Sequence, residues 1–490
     1  MKHVVLSSEI AKIDTASQSV FRLPALSLME NAAMGVWSEV QHRIPDKGAS
    51  LVFLCGGGNN GGDALAVARL AYNSGFRKIS CILSSNHFTS SCDRQREIVA
   101  NYGIALISAE ERVSDQIKES VSQADFLFDG LASTSLNGPL RGVALSLVEL
   151  ANKSPAFKIA IDTPSGVSED VVVSSPHFQA DLTVTFGMHK VAMFHPLTRS
   201  ACGEIVVRNP SFPPHLLEKA PIMAELCTLS DISLKKLSSS SYKNKRGHLG
   251  IVGGSKKYTG AARLSARSAF ASRAGLVTLF CDEDVYPIAA AEAPSVMVRI
   301  LESVDELSSY DALLIGPGWG DNRTSLLEKI FLLGKSVVLD ADGITTLASL
   351  IEKDRHAIHG PLIITPHLGE LKSLASALYG ELPEETPNAF FTMIREIADR
   401  LDATLIVKSS LVHIATPGQG RIYIVEGLNP SLGVAGSGDV LSGLIAALVG
   451  GGMGVEEASL VGTLLHQKAG SVAHAKYGYY DSETLVECLG

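Results

Sequence analysis

The chain has 490 residues, of which 46% are hydrophobic and 19% are charged, and 44 of them are glycine. This length allows two or three domains with full cores, and the composition is that of an α/β enzyme rather than of a disordered or fibrous protein. The net charge of −9 argues against a nucleic-acid-binding protein, which would carry a basic stripe.

The seven cysteines are dispersed, without a Cys-x-x-Cys pair or a histidine at metal-ligand spacing, and this indicates reduced thiols. An acidic residue at Glu9 comes too early for a signal peptide, and the longest uncharged stretch is broken by glycines. We therefore expect a cytoplasmic protein that binds neither a membrane nor nucleic acid.

Short apolar runs followed by helical periodicity form two α/β blocks along the chain. The first block has predicted strands at 50–55, 78–83, 126–129, 158–162 and 182–186, and predicted helices at 63–74 and 94–102. The second has predicted strands at 249–252, 277–281, 312–315, 337–339, 362–365 and 405–408, and an uncharged helix at 440–455. Because the runs are apolar on both sides, we expect parallel sheets covered by helices on both faces. A stretch rich in proline and serine places the boundary between the blocks near 210–240.

A glycine-rich turn at 55–69 follows the first strand of the first block and opens a helix. The glycines at 56–58 let the backbone turn tightly, Asn59 and Asn60 offer amide groups, and Asp63 lies in the first helical turn. The turn lacks the Gly-x-Gly-x-x-Gly spacing, and it lacks the lysine of a P-loop. A plain turn is the alternative interpretation, but two adjacent asparagines favour a ligand-binding turn.

Two further predicted strands of this block end in acids, Asp129 and Asp162, and the second acid continues as Thr-Pro-Ser-Gly at 163–166. Because the carboxyl ends of parallel strands share one edge of a sheet, these side chains are expected together. Asn60, Asp129 and Ser165 offer oxygens that suit a hard monovalent cation. Each aspartate alone is equally explained as a turn or helix cap, and the coincidence of three polar clusters favours a site.

The first block contains, in order, Leu-Met-Glu-Asn-Ala-Ala at 28–33, Gly-Gly-Asn-Asn-Gly-Gly-Asp at 57–63, Asp-Thr-Pro-Ser-Gly at 162–166 and Ala-Asp-Leu-Thr-Val-Thr-Phe-Gly at 180–187, followed by Lys190. Together these segments resemble the NAD(P)H-hydrate epimerase family over about residues 1–210. The resemblance implies a Rossmann-like αβα sandwich that interconverts the R and S epimers of NADHX and NADPHX, which are nicotinamide nucleotides hydrated across the C5–C6 bond.

The resemblance also implies the residues of this first site. Potassium would be bound by Asn60, Asp129 and Ser165, and the proton would be transferred by Asp162 or by a neighbour such as Lys190. The family's loop after Asp129 is glycine-rich, whereas this chain has Ser-Thr-Ser at 133–135. Serine in place of glycine adds a Cβ, which restricts a close approach of the backbone to the substrate. The expected substrate contacts are Asn59, Asn60, Gly61, Gly62, Asp63, Ser133, Thr134, Ser135, Leu136, Asn137, Gly138, Pro139 and Asp162.

The second block carries Gly436, Ser437, Gly438 and Asp439 directly before its uncharged helix. A glycine turn that opens a helix leaves backbone N–H groups unpaired at the positive end of the helix dipole, so residues 436–438 are a predicted anion hole for a phosphoryl group. Asp439 at its rim would accept a proton from a hydroxyl that is being phosphorylated. A capped helix N-terminus is the alternative interpretation.

Four further parts of the second block accompany this turn: His-Leu-Gly-Ile-Val-Gly-Gly-Ser at 248–255 with Tyr-Thr-Gly-Ala-Ala at 258–262, Asp-Ala-Leu-Leu-Ile-Gly-Pro-Gly-Trp-Gly at 311–320, Ile-Thr-Pro-His-Leu-Gly-Glu at 364–370, and Val-Lys-Ser-Ser-Leu-Val at 407–412. Together they resemble the ADP-dependent NAD(P)H-hydrate dehydratase family, of the ribokinase-like superfamily, over about residues 240–490. By this resemblance, the hydrated nucleotide contacts Ala261, Gly318, His367 and Asp439. The adenine nucleotide would contact Lys408, Ser409, Ser410, Leu411, Val412 and Gly438.

The implied dehydration overcomes the poor leaving ability of hydroxide. Asp439 would take the proton of the C6 hydroxyl as that oxygen attacks the terminal phosphate of ADP, and Mg²⁺ would bridge the phosphates. The phosphorylated hydroxyl would then leave as phosphate, driven by the ring nitrogen lone pair, and NAD(P)H would be restored.

We therefore predict an α/β enzyme with a Rossmann-like epimerase domain at 1–215, a linker at 216–240 and a ribokinase-like dehydratase domain at 241–490. Its expected partners are NADHX or NADPHX and ADP, with K⁺ in the first domain and Mg²⁺ in the second, and we expect a homo-oligomer. The alternative is a sugar or vitamin kinase with an N-terminal nucleotide-binding module, since Gly-Ser-Gly-Asp serves kinases equally. The choices between NADHX and NADPHX and between ADP and ATP stay open.

Overall fold

The computed structural model describes residues 1–109, 112–132, 138–233, 242–291, 294–353 and 360–489. The chain forms two compact units, an N-terminal unit of Lys2–Ala224 with Glu384–Phe390, and a C-terminal unit of Met1, Glu225–Pro383 and Phe391 onward. The division at residue 224 falls inside the predicted linker, which contains a strand at Ala224–Cys227. Residues 234–240 of that predicted linker lie outside the described residues.

The N-terminal unit is built on a parallel sheet. Its strands are β1 (Lys2–Val5), β2 (Leu51–Cys55), β3 (Ile79–Leu83), β4 (Ala105–Ser108), β5 (Phe126–Gly130), β6 (Phe157–Ile161), β7 (Leu182–Phe186), β8 (His189–Lys190) and β9 (Glu204–Arg208). Its helices are α1 (Ser7–Ser19), α2 (Ala25–Val40), α3 (Asn59–Asn73), α4 (Ser90–Asn101), α5 (Asp115–Ser122), α6 (Gly142–Lys153) and α7 (Pro214–Glu218). Seven strands lie in the order β4-β3-β2-β5-β6-β7-β9, all paired in parallel, and β1 pairs in parallel with β8.

Strand β2 shows why this sheet is the middle layer of a three-layer αβα sandwich. All five of its residues are buried. Leu51 and Phe53 join the cluster formed with α2 and α3, whereas Val52 and Leu54 join the cluster formed with α5 and α6. Successive side chains of a strand point to opposite faces, so both faces of the sheet are covered.

Helix α3 begins at Asn59, four residues before the predicted start at 63. Gly58, in an extended conformation, is its N-cap. Asn59 and Asn60 therefore lie on the first turn of the helix, whose backbone N–H groups lack intrahelical partners. Asp63 is the fifth helical residue and lies on the second turn, so its predicted place in the first turn is wrong. This correction places all three side chains at the carboxyl edge of the sheet.

The C-terminal unit is a second α/β layer structure. Its strands are β10 (Ala224–Cys227), β11 (His248–Val252), β12 (Leu276–Cys281), β13 (Met297–Ile300), β14 (Ala312–Ile315), β15 (Ser336–Leu339), β16 (Leu362–Ile364), β17 (Ala403–Val407), β18 (Leu411–Ala415) and β19 (Ile422–Glu426). Its helices are α8 (Ala261–Ala271), α9 (Tyr286–Ala291), α10 (Thr324–Phe331), α11 (Asp342–Lys353), α12 (Leu368–Tyr379), α13 (Pro387–Leu401), α14 (Ser437–Gly450), α15 (Val455–Tyr477) and α16 (Ser482–Glu487). The strand order is β13-β12-β11-β14-β15-β16-β17-β18-β19-β10.

One edge of this sheet departs from the predicted parallel arrangement. The strands from β13 to β17 pair in parallel, but β17 with β18 and β18 with β19 are antiparallel. Only three residues, 408–410, join β17 to β18, and a parallel crossover needs a dozen or more. The prediction of a wholly parallel sheet is therefore wrong here, and the short connection turns out to be part of a site.

The uncharged helix α14 runs from Ser437 to Gly450 and is buried along almost its whole length. It ends five residues before the predicted limit at 455, and Gly452 nearby adopts a left-handed φ of 85°. Gly443 allows close packing against α8, because an added Cβ would lie 2.2 Å from the Ser265 carbonyl oxygen. In the part of the chain that the structure describes, no helix is both long and apolar enough to cross a membrane.

Candidate active sites

The turn between β2 and α3 is held by backbone contacts that require glycine. An added Cβ would lie 1.9 Å from the Leu131 carbonyl oxygen at Gly56 and 1.9 Å from the Gly56 carbonyl oxygen at Gly61. Either distance is far below van der Waals contact, so any side chain would displace the backbone. Asn59 is fixed on this turn because its Oδ1 accepts a hydrogen bond of 3.0 Å from the Thr89 hydroxyl.

The three predicted potassium ligands meet at one point of the sheet edge. Asp129 is fully buried, and its carboxylate accepts hydrogen bonds from the Ser165 backbone N–H at 2.7 Å and the Ser165 hydroxyl at 2.7 Å. Asn60 donates from Nδ2 to the Ala132 carbonyl at 3.2 Å, and Ala132 also donates its N–H to the Ser165 hydroxyl oxygen at 2.9 Å. Burial raises the pKa of Asp129 to about 6 against the opposing effect of the Ser165 hydrogen bonds.

Asn60 Oδ1 in this cluster is buried and has no hydrogen-bond partner among the described residues. A buried acceptor without a donor is costly. A cation bound by oxygens would satisfy it and would also neutralise the carboxylate of Asp129. The donor set therefore fits the predicted potassium ion.

Asp162 follows β6 in a left-handed conformation with φ of 69°, a strained geometry that is frequent at functional sites. Its Oδ1 accepts a hydrogen bond of 2.5 Å from Lys190 Nζ and one of 3.1 Å from the Phe186 N–H. Lys190 is only 1% exposed, and its ammonium also donates to the Thr185 hydroxyl at 2.6 Å. The two candidate proton-transfer groups of the sequence analysis are thus a single ion pair.

A cavity of about 240 Å³ lies in the N-terminal unit beside this ion pair. Among the predicted substrate contacts, Asn59, Asn60, Asp63 and Asp162 line it, together with residues of α1 and α2. The predicted contacts at Ser133, Thr134, Ser135, Leu136 and Asn137 lie outside the described residues. Gly61, Gly62, Gly138 and Pro139 are described, and none of these four predicted contacts lines the cavity.

In the C-terminal unit, the N-terminus of α14 has the geometry expected of an anion-binding turn. Gly436 is its N-cap in the left-handed conformation, with φ of 89°. The Ser437 N–H donates to the Val434 carbonyl at 3.2 Å, so this amide has a partner within the chain, and the predicted anion hole rests on Gly436 and Gly438. His466 Nε2 lies 3.0 Å from the Ser437 carbonyl oxygen and braces the turn as a neutral ring, because burial lowers the pKa of His466 to about 4.

Asp439, the third residue of α14, lies among several charges. Burial and the negative charge of Asp340 together raise the pKa of Asp439 to about 7 against the opposing charge of Lys408. Lys408 Nζ lies 2.6 Å from Asp340 Oδ1 and 3.2 Å from the position that a Cβ on Gly438 would occupy. A carboxyl group with a pKa near neutrality is suited to accept a proton.

A cavity of about 690 Å³ opens beside the same turn, large enough for a nucleotide. Predicted nucleotide contacts at Lys408, Ser409, Ser410, Val412 and Gly438 line it, and His367 lines it as well. Leu411 begins β18 and is fully buried in the sheet, so its side chain is not part of the lining.

The other predicted substrate contacts of this unit also have defined places. Ala261 is the first residue of α8, and an added Cβ on Gly318, which has a left-handed φ of 59°, would lie 3.3 Å from the Ala261 Cβ. His367 is the N-cap of α12, where its Nδ1 accepts hydrogen bonds from the Gly369 and Glu370 N–H groups at 2.9 and 3.1 Å. The histidine therefore has a structural role in addition to its place at the cavity.

The sequence analysis missed Asp340. This residue directly follows β15, is 1% exposed, and binds both Lys408 and the Thr365 hydroxyl, the latter at 2.8 Å. The signal was present, because an acid at the carboxyl end of an apolar run is the same pattern that singled out Asp129 and Asp162. Taken together, the two units define a fused α/β enzyme with a phosphoryl-transfer turn in one unit and a paired aspartate and lysine in the other.

Comparisons with known proteins specify this class. The family model for NAD(P)H-hydrate dehydratase matches residues 249–489, and the model for the YjeF-related protein N-terminus matches residues 25–192. A bifunctional NAD(P)H-hydrate repair enzyme from Thermofilum pendens is 32% identical over 96% of this chain and 92% of that protein. One of the same description from Moorella thermoacetica is 30% identical over 97% of this chain and 93% of that protein. The chain belongs to the family of bifunctional NAD(P)H-hydrate repair enzymes, which confirms the family predicted from its motifs.

Solved structures resemble parts of the chain. A ribokinase-like superfamily protein from Enterococcus faecalis has a TM-score of 0.46 at 25% identity and covers 52% of this chain and 89% of its own. The ADP/ATP-dependent NAD(P)H-hydrate dehydratase from Bacillus subtilis has a TM-score of 0.45 at 22% identity and covers 52% of this chain and 92% of its own.

Proposed function

We propose that this chain epimerises R- and S-NAD(P)HX in its N-terminal unit and dehydrates S-NAD(P)HX to NAD(P)H in its C-terminal unit, with ADP converted to AMP and phosphate. The observation that carries the second activity is the position of Asp439. It combines a pKa of about 7 with a place on the first turn of α14, beside the Gly436 and Gly438 amides and the Lys408 ammonium.

Dehydration follows from this arrangement in two steps. Asp439 accepts the proton of the C6 hydroxyl while that oxygen attacks the terminal phosphorus of ADP and AMP leaves. The Gly438 amide and Lys408 stabilise the charge on the transferred phosphoryl group. The C6–O bond then breaks as the ring nitrogen lone pair forms a C=N bond, phosphate leaves with the bonding electrons, and loss of a C5 proton restores the dihydropyridine ring.

Magnesium is proposed with the nucleotide phosphates, where it supplies neutralisation of their charge. Asp342 and Glu370 are the carboxylates that support this assignment, because both act on the pKa of Asp439 and both offer the oxygen ligands that Mg²⁺ prefers. The adenine nucleotide is proposed in the 690 Å³ cavity along Lys408, Ser409 and Ser410. The assignment to ADP rather than ATP is part of the proposal.

For the first activity, we assign the substrate to the 240 Å³ cavity and the proton transfer to Asp162, held by Lys190. Potassium at Asn60, Asp129 and Ser165 would fix the first turn of α3 against the loop after β5. The support for this cation is the buried, unpartnered Asn60 Oδ1 facing a carboxylate cluster.

We further propose domain limits of 1–215 and 241–490 with the linker 216–240, a cytoplasmic location, and a homo-oligomer without a nucleic-acid partner. The dispersed cysteines, free in the described residues, support a reducing compartment, and the net charge of −9 supports the absence of nucleic acid.

One experiment tests both activities. The full chain is incubated with mixed NADHX epimers, ADP, Mg²⁺ and K⁺, and the recovery of NADH absorbance is followed together with the nucleotide products. If both activities are present, all of the NADHX is converted to NADH, with AMP and phosphate formed in equal amounts. If only dehydration is present, the S epimer is converted directly, and the R epimer is converted only as fast as it exchanges spontaneously with the S epimer. Absence of NADH, with a phosphorylated sugar or vitamin formed instead, would favour the kinase alternative.

A further inference from the structure

Three carboxyl groups from three different elements line the 240 Å³ cavity of the N-terminal unit. Asp14 comes from α1, Asp63 from the second turn of α3, and Asp162 from the position directly after β6. Apolar side chains of α2 and of the end of β7, such as Met29 and Phe186, complete the wall. The cavity therefore combines several carboxyl groups with a partly apolar wall.

The two deeper carboxyl groups differ in their surroundings. Asp162 lies 2.5 Å from Lys190 Nζ and accepts a hydrogen bond from the Phe186 N–H as well, so its carboxyl group is paired with an ammonium. Asp63 is 9% exposed, and no hydrogen bond or ion pair from the other described residues holds its carboxyl group. Its surroundings therefore favour the neutral acid.

The titratable groups near Asp63 lie on several of the elements packed around it. Burial, together with the negative charges of Asp162 and Asp14, raises the pKa of Asp63 well above its usual range. Cys92 on α4 is also near, and burial with the charge of Asp63 raises the pKa of this thiol to about 12, so it stays neutral. The positive charge of Lys190 is already engaged by Asp162. A buried carboxyl group without a partner, next to one that is paired with an ammonium, offers an acid and a base within one cavity.

We propose that Asp63 is the general acid of the epimerisation, that it protonates the departing C6 hydroxyl, and that Asp162 is the general base that deprotonates the water added to the opposite face. This inference rests on the proposed epimerase function and adds a role for a residue that the resemblance implied only as a substrate contact. It also specifies that the C–O bond breaks, rather than the bond between C6 and the ring nitrogen.

The proposed steps balance without a further reactant. Asp63 gives its proton to the hydroxyl oxygen, the C6–O bond breaks with its electrons leaving on water, and the ring nitrogen lone pair forms a C6=N⁺ bond. Water then attacks C6 from the other face, the C=N electrons return to nitrogen, and the extra proton passes to Asp162. Asp63 is then ionised and Asp162 is protonated, and either proton exchange with solvent or a turnover in the reverse direction restores the first state.

The test uses the full chain with R-NADHX in ¹⁸O-labelled water, with K⁺ present and ADP omitted, so that dehydration does not consume the product. The S epimer is separated, and its ¹⁸O content is measured by mass spectrometry. The amount formed in the absence of enzyme is subtracted. We expect one solvent oxygen in each molecule of enzymatically formed S epimer. Retention of the original oxygen would overturn the proposal, because ring opening at the nitrogen keeps that oxygen in place.

The substitution Asp63→Asn tests whether Asp63 is the general acid. We expect kcat to fall by about 10² to 10⁴ with a much smaller change in KM, because the amide keeps the shape and the neutral charge but gives no proton. The wild-type kcat should fall at high pH as Asp63 loses its proton, and the residual rate of the variant should lack that limb. Retained kcat, or an unchanged high-pH limb, would exclude Asp63 as the acid.

Two controls separate this result from misfolding and from failure of the proposed function. Asp93→Asn, on the exposed face of α4 in the same unit, should leave kcat unchanged. A raised native pKa means that the stability contributed by protonated Asp63 is lost as pH rises through that pKa, so Asp63→Asn should unfold at an equal or higher temperature at pH 8.

If the variant nevertheless misfolds, the oxygen label and the pH profile of the wild-type chain decide. A wild-type chain that does not epimerise at all refutes the proposed function itself, whereas epimerisation with retained oxygen refutes only this inference.

Discussion

Lys408 Nζ lies 2.6 Å from Asp340 Oδ1, and this ion pair joins the end of β17 to the end of β15 beneath the N-terminus of α14. Burial opposes the charged form of Lys408, but Asp340 and Glu370 raise the pKa of its ammonium, so the lysine stays charged. The same ammonium lowers the pKa of Asp439. The lysine that we propose for the transferred phosphate therefore also acts on the protonation state of the proposed base.

Asp439→Asn should abolish ADP-dependent dehydration, because the amide keeps the shape of the side chain but does not accept the hydroxyl proton. Loss of a general base typically lowers the rate by about 10² to 10⁴. Epimerisation and the unfolding temperature should be retained. The measurement is NADH formation from S-NADHX and ADP, with Asp284→Asn, an exposed aspartate of the same unit, as the matched control. Near-normal turnover would remove Asp439 from this role.

The pH dependence of dehydration should report the same carboxyl group. Asp439 acts in its ionised form, so kcat should be low in acid, rise through a pH of about 7 and then level off. Lys408→Met removes the charge that lowers this pKa and should move the rise to higher pH. A profile that is flat from pH 5.5 to 8.5 in the wild type, or a shift to lower pH in the variant, would contradict the assignment.

Potassium should affect only the N-terminal unit. We expect Asp129→Ala to raise KM for epimerisation and to leave the kinetics of dehydration unchanged. In the wild type, K⁺ should also raise the unfolding temperature, because an ion at 100 times its Kd adds about 2.7 kcal/mol to stability. Thermal unfolding in potassium and in tetramethylammonium chloride at equal ionic strength measures this effect. Normal epimerisation by Asp129→Ala in potassium-free buffer would leave Asp129 as a turn cap only.

The contact between α8 and α14 should tolerate no side chain at Gly443. An added Cβ would lie 2.2 Å from the Ser265 carbonyl oxygen, so Gly443→Ala should cost about 1–3 kcal/mol and displace the turn that carries Asp439. Gly450→Ala on the same helix is the matched control, since its Cβ would meet only Ala312 Cβ at 3.7 Å. That control should be neutral or should stabilise by up to about 1 kcal/mol. Equal urea midpoints for both variants would contradict this packing argument.

The strands were the most predictable part of the fold. The predicted runs at 182–186 and 312–315 coincide with β7 and β14, because a short β-rich run that is apolar on both faces has few other solutions. The start of α3 was predicted four residues late, since asparagine and glycine are weak helix formers. The close backbone contacts at Gly56 and Gly61 hold this turn in the conformation in which the helix begins at Asn59.

The candidate sites were predictable where a motif is contiguous and less so where distant residues meet. Asn60, Asp129 and Ser165 were placed together by the rule that parallel strands share a carboxyl edge, and their hydrogen bonds bear out this proximity. The pairing of Asp340 with Lys408 depends on the register of β15, β16 and β17, and that register is not contained in either motif. The antiparallel edge was missed for another reason, because no strand was predicted at the position of β18, directly after the short connection 408–410.

The glycine contacts around α3 restrict one side of the 240 Å³ cavity, because Asn59, Asn60 and Asp63 line it from the turn and helix that these contacts hold in place. With carbonyl oxygens 1.9 Å from the Cβ positions of Gly56 and Gly61, no stepwise route through alanine leads to a differently shaped turn. The opposite wall is made of ordinary side chains on α1, such as Ile10 and Gln18, and these have no such restriction. Redesign of this unit for other hydrated nucleotides would therefore begin with α1 and leave the turn untouched.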